Sequence, residues 1–227
     1  MIAMALSQAD RFTEDLYDDL HSSESNEPVF ENHPTLLRRY WPPIQEKLSR
    51  YAREIGITPK FHEWRVRVSE LPTYKAFGRI WGKVFGRYTP WEKKIEFDAS
   101  VFPELEHHTR YQLKKQGMPV QDAEDVGVHE GGHALQEESG ALDKYLKKAW
   151  IFARAYIEGL NTKATEYMTG RKQAVYRVYQ KLAERLINKY GMKKAFRGDV
   201  PAEEVSPFAL QPRPALAIQY VRFRYAR

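Results

Sequence analysis

Cysteine is absent from the 227 residues. That one absence removes disulfides, thiolate metal sites and a cysteine nucleophile. Long apolar runs are missing too. No stretch approaches the roughly 20 apolar residues that a membrane-spanning helix requires, so no membrane partner is expected. The amino terminus, MIAMALSQADRF, has no basic segment ahead of its few apolar residues, which makes a secretory leader a poor reading and the cytoplasm the expected location. Histidine is sparse: there are 7, and none follows His133. Internal repeats and low-complexity tracts are also lacking.

What is present is the composition of an ordinary globular chain, 42% hydrophobic and 29% charged. The formal net charge of +6 invites a nucleic-acid partner. Lysine and arginine are dispersed along the chain, however, so a solvated basic surface is the plainer reading.

The hydrophobic period divides the chain. Residues 5–21 and 35–55 carry helical patterns, the second interrupted by Pro42-Pro43. From Phe61 the period changes to two. Val66 and Val68 alternate with Arg65 and Arg67, residues 75–87 alternate glycine and apolar residues with bulkier ones, and KIEFDA (94–99) forms a third strand. Glycines along one strand face predict a close neighbour. From Pro103 to about residue 197 the pattern is helical, over 103–116, 122–139, 143–168 and 172–190. The expected fold class is therefore α+β, with a small, mostly antiparallel sheet over 60–100 followed by helices. The expected division is a helical segment 1–59, a catalytic domain 60–197 and a tail 198–227.

Residues 129–133 read HEGGH. Helical residues four apart share a face, so His129 and His133 can reach one metal ion, with Glu130 beside them as general base toward water. Asp122 predicts the cap of the helix this requires. Two adjacent glycines inside a helix cost about 1 kcal/mol each relative to alanine, which predicts a crowded neighbour.

A catalytic Zn2+ needs a third protein ligand and an open position. With no later histidine and no cysteine, a downstream ligand must be a carboxylate. Glu137 and Glu138 share the helix of the motif and cannot fold back. Glu158, on the flank of an apolar stripe through Leu146, Trp150, Ala153, Ile157, Leu160 and Ala164, is the preferred ligand. The rival reading of Glu158 is an ion pair with Arg154. Glu166 is the alternative ligand or an acid supporting the ligands from behind.

HEGGHALQ followed by IEGLNTKATEYMTGR resembles the gluzincin branch of the zincin metallopeptidases, and most of all the small soluble minigluzincins. The likeness spans about residues 60–197. It implies a zincin-like fold, in which a sheet precedes an active-site helix and a "glutamate helix", and a site of two histidines and one glutamate holding one Zn2+. It also implies hydrolysis of a peptide or protein substrate. An extended peptide would pair with a sheet edge, for which KIEFDA is the expected strand, and Tyr176 or Tyr179 would assist at the carbonyl oxygen. The tail is either a packed terminal strand or an inhibitory segment lying along the cleft. The rival functions are an inactive zincin-fold binding module and a nucleic-acid-associated protein with a structural zinc, the latter drawing on the basic, aromatic QYVRFRYAR.

Overall fold

The computed structural model describes residues 26–76, 79–105, 108–149, 152–173 and 176–205. The helical pattern over 5–21 and the tail beyond 205, with its inhibitory reading, lie outside them. The chain runs β1 (Val29–Phe30), α1 (Pro34–Ile55), β2 (Arg65–Ser69), β3 (Thr73–Ala76), β4 (Arg79–Lys83), β5 (Gly86–Thr89), β6 (Lys94–Asp98), α2 (His108–Lys115), α3 (Ala123–Glu138), α4 (Ala141–Ala149), α5 (Ala153–Thr169), α6 (Arg177–Tyr190), α7 (Met192–Phe196) and α8 (Ala202–Val205). The class is α+β. No described helix is long and apolar enough to cross a membrane.

The sheet corrects the expectation of a mostly antiparallel one. Its order is β1-β2-β6-β5, with β1–β2 and β2–β6 parallel and only β5–β6 antiparallel. Helix α1 is the crossover that makes β1 and β2 parallel. Residues 75–87, expected as one strand, divide among β3, β4 and β5, and β3–β4 is a separate antiparallel hairpin. The division is held by Lys83, almost fully buried, which donates to Asp98 and to the Leu71 carbonyl, both at 2.6 Å. KIEFDA is not an edge either, since β6 lies between β2 and β5. The edge nearest the helices is β5.

The alternation in β2 is present: Val66 and Val68 are buried, while Arg65 and Arg67 face the other side. On that side the fully buried Glu96 carboxylate is gripped by Arg67 from β2 and Arg87 from β5. Burial of a carboxylate is tolerable only with such partners.

Helix α1 runs straight through Pro42 and Pro43. Both prolines are exposed, as are Arg38 and Arg39, whose carbonyls lose their helical donors. Water can take those donors' place. The opposite face buries Leu37, Trp41, Ile44 and Leu48 in one core with Val66, Phe97, Val126 and Leu135. Residue 59 is therefore no boundary between cores. The stretch expected as one helix over 143–168 holds two, α4 and α5. Leu146, expected in the apolar stripe, is 52% exposed, and α4 buries Ala141, Tyr145 and Ala149 instead. A second core gathers Tyr145, Tyr156, Leu160, Ala183 and Leu186. Helix α5 serves both, with Ala164 and Met168 in the first and Tyr156 and Leu160 in the second.

Candidate metal centre

Helix α3 starts where its chemistry says it should. Asp122 accepts the Asp125 N–H at 2.8 Å, and Glu124 and Asp125 follow at the positive end of the helix. Arg171, just beyond α5, ties this end down, reaching Asp122 at 2.6 Å and Glu124 at 2.7 Å. The glycines then permit close approach on several sides. A Cβ at Gly127 would overlap Ile44, at Gly131 Leu48, and at Gly132 the amide oxygen of Asn161 on α5. In turn, Gly159 on α5 abuts the Tyr179 carbonyl of α6. The crowding expected from the paired glycines is present, with α1 on one side and α5 on the other.

One turn of α3 separates the two imidazoles, whose centroids are 4.9 Å apart with the rings perpendicular. Both present Nε2 to the same carboxylate oxygen: Glu158 Oε2 is 3.6 Å from His129 and 3.4 Å from His133. One ligand atom from each of the three residues lies within 4.8 Å of the others. Burial alone would raise the Glu158 pKa, but the two imidazoles outweigh it and hold the carboxyl far below the ordinary carboxylate range. For His133 burial acts to lower the pKa, and the Glu158 charge more than reverses this.

The Arg154 reading of Glu158 is also realised, on the other oxygen. Arg154 Nε is 3.8 Å from Oε1, but its side chain is 73% exposed, so the pair is weak. Glu166 is elsewhere. It pairs with Lys163 at 2.8 Å and accepts the Gln173 N–H at 2.9 Å.

Glu130 is buried, and burial raises its pKa. It faces β5. Phe85 and Asp98 form a hydrogen-bonded pair, the Asp98 N–H donating to the Phe85 carbonyl at 2.8 Å. By antiparallel alternation the main-chain groups of Gly86 and Tyr88 then point outward from the sheet. The Tyr88 N–H is hydrogen-bonded to Glu130, and Gly86 lies flat against Val126 and Glu130. The Tyr88 hydroxyl donates to Glu137, two turns further along α3.

Of the two tyrosines, Tyr176, although 39% exposed, lies in the field of Glu158 and Glu130 and in hydrogen-bond contact with Arg154, and partial loss of water around its hydroxyl together with these carboxylates pushes its pKa up to about 12. It caps α6 in a left-handed conformation, φ 55°, with its ring stacked on Tyr179.

Sequence reasoning missed four residues that hold the ligands and Glu130, three through side chains and Tyr88 through its main-chain N–H. Gln136 bonds His133 Nδ1 at 3.0 Å, and Thr165 lies 3.4 Å from His129 Nδ1. Asn161 donates to the His129 carbonyl at 2.7 Å, and Tyr88 holds Glu130. Spacing could have found two of them, since Gln136 is three residues past His133 and Thr165 seven past Glu158. A search against protein-family models, curated proteins and solved structures found no match for the chain.

Proposed function

We propose that the chain is a zinc-dependent peptidase of the two-histidine, one-glutamate type, with a zincin-like arrangement of sheet, active-site helix and glutamate helix. The convergence of His129, His133 and ionised Glu158 on one point carries the reading. Two neutral imidazoles and a carboxylate are the donor set that Zn2+ takes in catalytic sites with an open fourth position. When bound there, Zn2+ supplies Lewis acidity toward water and toward a carbonyl.

The remaining work falls to the chain. Glu130 accepts a proton from the attacking water and delivers it to the leaving amine, a task for which its raised pKa suits it. Tyr176 stays protonated across the physiological range and donates to the carbonyl oxygen as charge grows on it. The outward main-chain groups of Gly86 and the Tyr88 carbonyl on β5 pair with an extended peptide, the Tyr88 N–H being held by Glu130, so β5 takes the role first expected of KIEFDA.

Elemental analysis of the purified chain tests the proposal. About one zinc per wild-type chain is expected, lost in Glu158→Ala and kept in Glu166→Ala. Glu130→Gln keeps its zinc while cleavage of quenched fluorescent casein falls by about 100-fold or more. Wild type without zinc, even after zinc is added back, would end the reading.

A further inference from the structure

An imidazole can donate a lone pair to a metal only from the ring nitrogen that carries no hydrogen, and the neighbours of the ring decide which nitrogen that is. At His133 the deciding neighbour is Gln136, on the same helix and fully buried. Its amide Nε2 donates to the Ile157 carbonyl of α5 at 3.1 Å. A carbonyl only accepts, so the amide nitrogen must face Ile157 and the amide oxygen must face His133. That oxygen, 3.0 Å from Nδ1, also only accepts. Nδ1 of His133 therefore carries a hydrogen, and Nε2, facing Glu158, is the nitrogen left to give its lone pair to a metal.

The same logic runs through a different group at His129. The single hydrogen of the Thr165 hydroxyl goes to the Asn161 carbonyl at 2.9 Å. Its oxygen can then only accept, and the atom it faces is His129 Nδ1 at 3.4 Å. Nδ1 again carries a hydrogen, which leaves Nε2 to the metal. Both arrangements are anchored on α5, at Ile157 and Asn161, on either side of Glu158. Asn161 adds a bond to the His129 carbonyl at 2.7 Å. The register of α5 on α3 and the tautomers of both histidines are thus one linked arrangement.

We infer that Gln136 and Thr165 are positioning residues that hold both histidines as Nε2 donors and so set the affinity of the site for its metal, an inference that rests on the metal reading above. A carboxylate at 136 could accept from His133 but would turn its charge on the Ile157 carbonyl, so an amide alone satisfies both neighbours. The Thr165 contact is longer, and its removal has the smaller effect.

Zn2+ affinity is measured by competition with a chromophoric chelator, and ligand geometry by the visible spectrum of the Co2+-loaded protein. Both are read on the full chain as wild type, Gln136→Leu, Thr165→Val and Thr165→Ser, with circular dichroism reporting the fold of each. The expected result is a loss of about 10–100-fold in Gln136→Leu with an altered Co2+ spectrum, a smaller loss in Thr165→Val, and recovery in Thr165→Ser. Wild-type binding with Gln136→Leu within about twofold of it and an unchanged spectrum would overturn the inference and leave the metal site standing. If Gln136→Leu does not fold, the Thr165 pair decides, because valine matches threonine in size. A wild type that binds neither ion overturns both readings together.

Discussion

Glu130 and Glu158 stand on facing helices around one site and are driven in opposite directions, Glu130 up by burial and Glu158 down by two imidazoles. Paired acids whose environments separate them in this way divide the labour of acid–base chemistry. The division has a stability signature. A carboxyl whose folded-state pKa lies above its unfolded value stabilises the fold at low pH and loses that contribution as pH rises through the raised value. Above the ordinary carboxylate range the buried Glu130 is thus a cost to the fold. Metal-free Glu130→Gln should melt higher than wild type in neutral buffer, and the gap should close toward the ordinary carboxylate range. Equal melting temperatures at neutral pH would refute this. At this scale HEGGH was legible, because its spacing is local to one helix. The preference for Glu158 over Glu166 agrees with the placement of Glu158 beside the histidines. Eight residues advance a helix by about 80° beyond whole turns, enough to swing Glu166 away, whereas seven fall within about 20° and bring Thr165 under the same face as Glu158.

Strand existence could be read from a period of two, but strand direction could not, because parallel and antiparallel strands share that period. Nor could alternation reveal that residues 75–87 serve three strands, since the buried pair of Lys83 and Asp98 that divides them joins positions distant in sequence. For α1, proline was a misleading signal. Its penalty falls on carbonyls that face water, while the apolar face of the helix stays whole. Pro43→Ala should therefore stabilise the protein by roughly 1–3 kcal/mol, the helix penalty offset in part by a freer unfolded chain. Urea denaturation checks this, and a midpoint at or below that of wild type would mean that the prolines are accommodated without cost.

Across the whole molecule, helix α5 belongs to both hydrophobic cores and also carries Glu158. A metal bridging α3 and α5 would bind only the folded chain, so its binding energy adds to folding stability. At a free zinc concentration about 100 times Kd, that contribution is about 2.7 kcal/mol. For a chain of this size a shift of roughly 5–10 °C follows. Chelation should lower the Tm by that amount, and added zinc should restore it. An unaltered Tm would show that the two helices hold their register without the ion. The buried stripe of α5 (Ala153, Leu160, Ala164) was visible in the sequence, but its sharing between two cores leaves no periodic mark.

The motif is written with two free positions between its histidine–glutamate pair and its second histidine, yet in this chain neither is free. Gly131 lies against Leu48 and Gly132 against Asn161, each without space for a methyl group. Descent with modification is therefore constrained in pairs. A side chain gained at 131 must displace the end of Leu48, and one gained at 132 must displace the Asn161 amide that holds the His129 carbonyl. Among relatives of this chain, positions 131 and 48 should vary together, while 132 and 161 stay unchanged.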